Sequence, residues 1–168
     1  MPMETSALIS DCQSYRYWLK RCWLHEPDVG DGCVLFVMLN PSTADAELND
    51  PTIRRCIGFA RSWGFVELMV ANLYAFRATQ PSDLWKASDP VGPENDQWLD
   101  QLAEDADQIV CAWGANARDD RIDDFLRRMQ TANKPLFCLG TTKAGAPRHP
   151  LYISKTQPLE AWPQVEHA

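Results

Sequence analysis

With 168 residues, 45% of them apolar, the chain is long enough to bury a core as one domain, 1–168, without disulfides or a structural metal. Its net charge of −7 argues against a protein that coats nucleic acid by bulk electrostatics. No apolar stretch is long enough to span a membrane and no basic-then-apolar leader opens the sequence, so no membrane association is expected and the cytoplasm is the expected location.

The six cysteines, Cys12, Cys22, Cys33, Cys56, Cys111 and Cys138, are scattered without a CxxC pair or a short cysteine-histidine spacing. No metal and no cofactor is therefore expected. Charge is uneven along the chain: twelve acids against Lys86, Arg118 and Arg121 lie between Asp83 and Asp124, while Phe125 to Leu159 holds no acid and six bases. That basic segment is either an ordinary solvated face or a local meeting place for a polyanion.

In chain order, residues 1–11 are expected to be loose. Cys12 to Trp23, dense in aromatics, reads as an edge strand or half of a hairpin rather than a short helix. Val34 to Leu39 is an uninterrupted apolar run of β-branched and aromatic types, a strand buried on both faces. It runs into Asn40-Pro41, which ends strands and starts turns. A polar side chain held at the carboxyl end of a buried strand is where open α/β sheets build their sites, and Asn40 is a candidate on that ground; the alternative is a simple Asx-turn.

Asp50-Pro51 predicts an N-cap with proline at the first helical position, and Ile53, Ile57, Phe59, Ala60 and Trp63 give the helix its apolar stripe. Val66 to Ala71 is the second buried strand, delivering Asn72. A helix runs from about Glu94 to Asp105, and a third strand from Ile109 to Trp113 is stopped by Gly114. Ala115 to Met129 is helical, and Pro135 to Leu139 is the fourth strand, followed by a glycine-flanked loop that reaches His149-Pro150. Leu151 to Ile153 reads as a short extension, and 163–168 as a loose end. Strands alternating with helices predict a mainly parallel four-stranded sheet with helices on both faces, a three-layer α/β/α fold with an N-terminal edge strand or hairpin.

That topology gathers Asn40, Asn72, Trp113-Gly114 and His149 at one sheet edge. Asn72 offers a donor and an acceptor in fixed geometry, suited to an amide-like base edge, or else ties down the loop after it. His149 can donate a hydrogen bond to a developing anion. Thr141, Thr142, Lys143 and Arg148 form a loop suited to phosphate or another anion, with Arg77 as a further anion-binding candidate. Tyr74 and Phe76 are candidates for stacking on a base. Ser42 and Thr43 join Asn72, Tyr74 and Phe76 as candidate base- or nucleotide-binding residues.

The order of motifs resembles the uracil-DNA glycosylase superfamily. The residues that carry the resemblance are Leu39-Asn40-Pro41, Met69-Val70-Ala71-Asn72 with Gln80-Pro81 after it, Ile109 to Ala117 around Trp113-Gly114, and His149-Pro150. The resemblance implies the three-layer fold, a water positioned by Asn40, a base edge read by Asn72 and a departing base stabilised by His149. The chain also resembles an uncharacterised bacterial family marked by Met38-Leu39-Asn40-Pro41-Ser42-Thr43-Ala44-Asp45 and Pro147-Arg148-His149-Pro150-Leu151-Tyr152.

The function implied is a glycosylase-like hydrolase acting on a nucleobase in DNA or in a nucleoside or nucleotide. A neutral Asn40 cannot take the proton of the water it holds, so turnover is slow unless Asp45 or Asp50 approaches. The alternative is a nucleic-acid or nucleotide-binding module that keeps the fold without catalysis. An acidic protein-interaction domain using residues 83–124 is a third reading. The oligomeric state is not legible from the sequence.

Overall fold

A computed structural model describes residues 3–27 and 30–163. One sheet organises them, with strands β1 (Glu4–Ile9), β2 (Arg16–Cys22), β3 (Cys33–Met38), β4 (Glu67–Asn72), β5 (Gln108–Cys111), β6 (Phe137–Cys138) and β7 (Glu160–Ala161). Their spatial order is β1-β2-β4-β3-β5-β6-β7. The middle four, β4-β3-β5-β6, pair in parallel. Antiparallel strands are added at both margins.

The expected sheet of four strands thus has seven, and three of its six pairings are antiparallel. Residues 1–11 are not loose as a whole, because Glu4–Ile9 pairs with β2 as an edge strand. It escapes a pattern reading because its side chains are exposed or half-buried. The strand β7 at the other margin was not expected either. Of the supposed loose end 163–168, residues 164–168 lie outside the described residues.

Four α-helices are described: α1 (Pro51–Ser62), α2 (Pro81–Leu84), α3 (Asn95–Asp105) and α4 (Asp119–Thr131). The short α2 went unforeseen, and α4 starts at Asp119 rather than Ala115 because the segment after Gly114 is first used as a turn. Pro150–Tyr152 is a single 3-10 turn. No helix among the described residues is long and apolar enough to cross a membrane.

Alternation along the central strands divides the core in two. Val34, Phe36, Leu68, Val70 and Val110 pack with Ile53, Cys56, Ile57, Phe59 and Ala60 of α1. Leu35, Val37, Met69, Ala71 and Cys111 face the other way, onto Leu99 and Leu102 of α3 and Phe125 and Met129 of α4. Both faces of β3 are buried, which is why that segment reads as unbroken apolar sequence.

Ion pairs fasten α3 to α4. Arg121, 7% exposed, donates from Nε to the Leu73 carbonyl (2.8 Å) and from Nη1 to Asp124 (3.1 Å). Its Nη2 lies 2.7 Å from Asp96 Oδ1, close enough for an ion pair but without hydrogen-bond geometry. Arg128 adds Asp96, Asp100 and Asp124. Three acids of the segment 83–124, Asp96, Asp100 and Asp124, are thus used to join the two helices.

Candidate functional site

At the carboxyl ends of β3 and β5 lies a cavity of about 460 Å³, a size suited to a small organic ligand. Its walls include Arg16, Asn40, Ser42, Asp50, Trp113 and His149, with Asn116 and Tyr152 also bordering it. Each is placed by a local feature of the chain.

Pro41 stops the sheet after β3, but the segment following Asn40 still runs beside the one following β4. Leu73 N donates to Met38 O (2.9 Å), Tyr74 N to Leu39 O (3.0 Å) and Ala78 N to Pro41 O (3.0 Å). The Asn40 amide joins this seam, its Nδ2 donating to Ala78 O (2.7 Å) and Pro41 O (3.1 Å). Oδ1 is left without a protein donor among the described residues. The side chain ties down the loop through Nδ2 rather than forming an Asx-turn through Oδ1.

His149 reaches the cavity through the turn after β5. Gly114 N donates to Pro147 O (2.8 Å), which draws the His149 segment onto the end of that strand. Gly114 has φ +75°, a left-handed conformation that favours glycine. The Nδ1 of His149 accepts from Leu151 N (3.2 Å), which assigns the proton of the neutral ring to Nε2. Burial pushes the imidazole pKa below its usual value, while the Asp50 carboxylate works the other way. The ring is thus a neutral donor at physiological pH.

Asp50 caps α1 as the sequence predicts, with Oδ1 accepting from Ile53 N (2.9 Å). Its Oδ2 accepts from Ala44 N (3.3 Å) and closes the preceding loop. Asp45, the other carboxylate considered near Asn40, is spent on its own turn, accepting from Glu47 N (2.9 Å) and Leu48 N (2.8 Å).

Of the residues predicted from sequence, the cavity brings together Asn40, Ser42 and His149, with Trp113 and Gly114. Trp113 is 1% exposed and packs edge-on against Phe125 and Trp162, so most of its ring belongs to the core. Asn72 does not line the cavity. It is 1% exposed beside Met38 in the β3–β4 register, with neither Oδ1 nor Nδ2 partnered. Alternation from Leu68 and Val70 puts its side chain on the α1 face, the same side as the cavity.

The remaining candidates lie elsewhere. Tyr74 is buried on the opposite face, its hydroxyl accepting from Arg118 N (3.2 Å) and its ring edge-on to Trp85. Phe76 packs edge-on against Tyr15, and Thr43 is exposed. Thr141, Lys143 and Arg148 are exposed, and their loop folds on itself: Thr142 N donates to Ala146 O, Ala146 N to Thr142 Oγ1 and Arg148 N to Gly140 O. Arg77 donates to Gln13 O (3.4 Å) and does not line the cavity.

Sequence reasoning missed Arg16. It opens β2 and is 2% exposed, yet it borders the cavity and donates from Nη1 to Ala44 O (2.9 Å). Burial lowers its pKa to about 10, with Asp50 opposing, so it stays charged at neutral pH. The one signal in the sequence is a basic residue set between Tyr15 and Tyr17 in an aromatic strand, a place where a solvated arginine is out of keeping.

Comparison with curated proteins finds no match, and comparison with solved structures finds none. The sequence pattern of one family, described as "Protein of unknown function (DUF1643)", matches residues 16–151. That range holds the central strands, α1 to α4 and nearly the whole cavity wall, and the chain belongs to this family of uncharacterised proteins.

Proposed function

We propose that the chain is a glycosylase-like hydrolase that cleaves the N-glycosidic bond of a nucleobase-bearing substrate. The observation that carries this reading is the joint placement of Asn40, Asp50 and His149 around one cavity at the carboxyl edge of parallel strands. The resemblance of the motif order to the uracil-DNA glycosylase superfamily, and the parallel core between helices on two faces, support it further.

Cleavage of such a bond builds positive charge on the sugar and negative charge on the departing base, so the site must serve both ends. Asn40 Oδ1 accepts a hydrogen bond from the attacking water. Asp50 is the carboxylate in the same wall that takes its proton, each oxygen holding one backbone N–H and keeping a second lone pair. His149 donates from Nε2 to the base as its bond to the sugar breaks. A negatively charged chain and a cavity of this size favour a free nucleoside or nucleotide over a long polymer.

The test is release of free base, followed by chromatography, from a panel of nucleosides, 5′-nucleotides and DNA carrying uracil or mismatched thymine. Asn40→Ala and His149→Ala are expected to abolish release while the fold is kept. Release that is unchanged in both variants, or absent with every substrate, refutes hydrolysis. One observation favours a second reading, binding without cleavage: both oxygens of Asp50 already accept backbone hydrogen bonds, which weakens it as a base. Saturable binding with no product identifies that case.

A further inference from the structure

Three arginines are buried in this fold, and they are not alike. Arg21, fully buried, donates from Nε to Asn49 Oδ1 (2.8 Å), from Nη1 to Lys20 O (2.9 Å) and Ser6 O (3.3 Å), and from Nη2 to Asp45 O (2.6 Å) and Leu48 O (3.2 Å). All five of its N–H groups are used, and its task is to pin the loop after Ser42 to the hairpin. Arg121 is held by Asp96, Asp124 and the Leu73 carbonyl.

The guanidinium of Arg16 makes one hydrogen bond, to Ala44 O, and no carboxylate within ion-pair distance is found among the described residues. Its Nε is buried without an acceptor. A buried guanidinium left in this state costs several kcal/mol unless something compensates it. Arg77 and Arg21 work against its charge, and Asp50 works for it. The nearest opposing charge, Asp50, is already committed to two backbone N–H groups. Asn72, on the neighbouring strand β4 and the same face, adds two more buried polar atoms without partners.

We infer that Arg16 is the receptor for a terminal phosphate carried by the ligand of this cavity, so that the substrate is a nucleoside 5′-monophosphate rather than a nucleoside or an internal stretch of DNA. A planar guanidinium fits a phosphate with two parallel hydrogen bonds, and the bonds gain strength away from water. Arg16 is the one charged group in the wall that is almost wholly buried, so a phosphate that reaches it enters first and ends the ligand. A phosphodiester, with chain continuing on both sides, has no exit there. The choice of a nucleotide rests on the base-binding reading above, whereas the choice of a phosphate rests on Arg16 alone.

The experiment is ligand-induced thermal stabilisation, with affinities from titration calorimetry, using 5′-monophosphates, the matching nucleosides, ribose 5-phosphate, and a short DNA oligomer with and without a 5′-phosphate. In the unaltered protein, monophosphates bind at least about tenfold more tightly than nucleosides, the gain of one or more charge-assisted hydrogen bonds. Arg16→Gln removes that difference and Arg16→Lys restores part of it, with far-UV circular dichroism confirming the fold of each.

Equal binding of nucleoside and monophosphate by the unaltered protein overturns the phosphate receptor without reference to any variant. Undiminished monophosphate binding by a folded Arg16→Gln protein overturns it as well, and an oligomer that binds equally with and without its 5′-phosphate overturns the terminal placement. Ribose 5-phosphate binding as tightly as a nucleotide, and depending on Arg16, upholds the receptor and refutes the base reading. Absence of binding by every phosphate-bearing probe overturns the receptor.

Discussion

Asp50 offers the sharpest test of how the cavity is held, because one carboxylate caps a helix, closes a loop and acts on a buried cation from beyond ion-pair distance. Replacement by Ala removes the acceptor for Ile53 N, a cap loss of about 1 kcal/mol. It also strands the amide of Ala44, whose bond at 3.3 Å is long, so the low end of the usual penalty applies, about 1 kcal/mol. Together these give about 2 kcal/mol, or a fall in Tm of about 4–8 °C for a domain of this size. Replacement by Asn keeps a cap oxygen for Ile53 and loses the Ala44 contact and the charge, so about half the effect is expected. Loss of charge lowers the Arg16 pKa further, since Asp50 is the leading influence raising it. Thermal melts by circular dichroism read both variants. An Ala variant within about 1 °C of the parent, or an Asn variant no more stable than Ala, refutes the reasoning.

Arg121→Met leaves the buried Leu73 carbonyl without its side-chain donor and Asp96 with Arg128 alone, and is expected to cost about 1–2 kcal/mol, measured by urea unfolding. Buried His149 must gain a proton against its surroundings, so its folded pKa lies below the unfolded value of 6.5. The stability linked to the neutral ring is complete above that value and is lost as pH falls through the folded one. Melts against pH are therefore expected to fall more steeply below 6.5 in the parent than in His149→Asn, with Asp50 and Arg16 the charged groups facing the ring's cavity. Hydrogen bonds from Ser10 and Ser14 bring the exposed Cys12 thiol down to about 7. Burial pushes Cys56 and Cys111 up. Iodoacetamide at neutral pH followed by mass spectrometry is expected to label Cys12 well ahead of both.

The parts of this molecule that the sequence discloses are those where one physical demand governs. Val34 to Met38 is buried on both faces, so its apolar run has a single reading, and Asp50-Pro51 combines a cap with a fixed φ that starts a helix. The convergence of Asn40, Trp113-Gly114 and His149 follows from parallel strands delivering their carboxyl ends to one edge. What stayed hidden depends on partners far along the chain. The strand β1 has no apolar alternation, and β7 is two residues long, too short for any period to register. Thr142 resembled a phosphate loop because composition cannot show that its amide is already bonded to Ala146 O. Arg16 was overlooked because it sits where the β1–β2 pairing is irregular, Leu8 facing Trp18 and Ile9 facing Arg16, and simple alternation along the sequence does not show which face it takes.

The docking of β2 on β4 also makes the cavity depend on the first hairpin. Leu19 opposite Val70 is a contact between segments distant in sequence, with β3 and α1 lying between them in the chain. Such contacts carry a large loop-closure cost and form slowly. A chain whose parallel strands have condensed while the first hairpin is still undocked has a recognisable fold, with Asn40 and His149 already at its edge. It lacks the guanidinium. The cavity wall is in this sense completed from outside the parallel core, by a residue that stays in place only while the hairpin is docked.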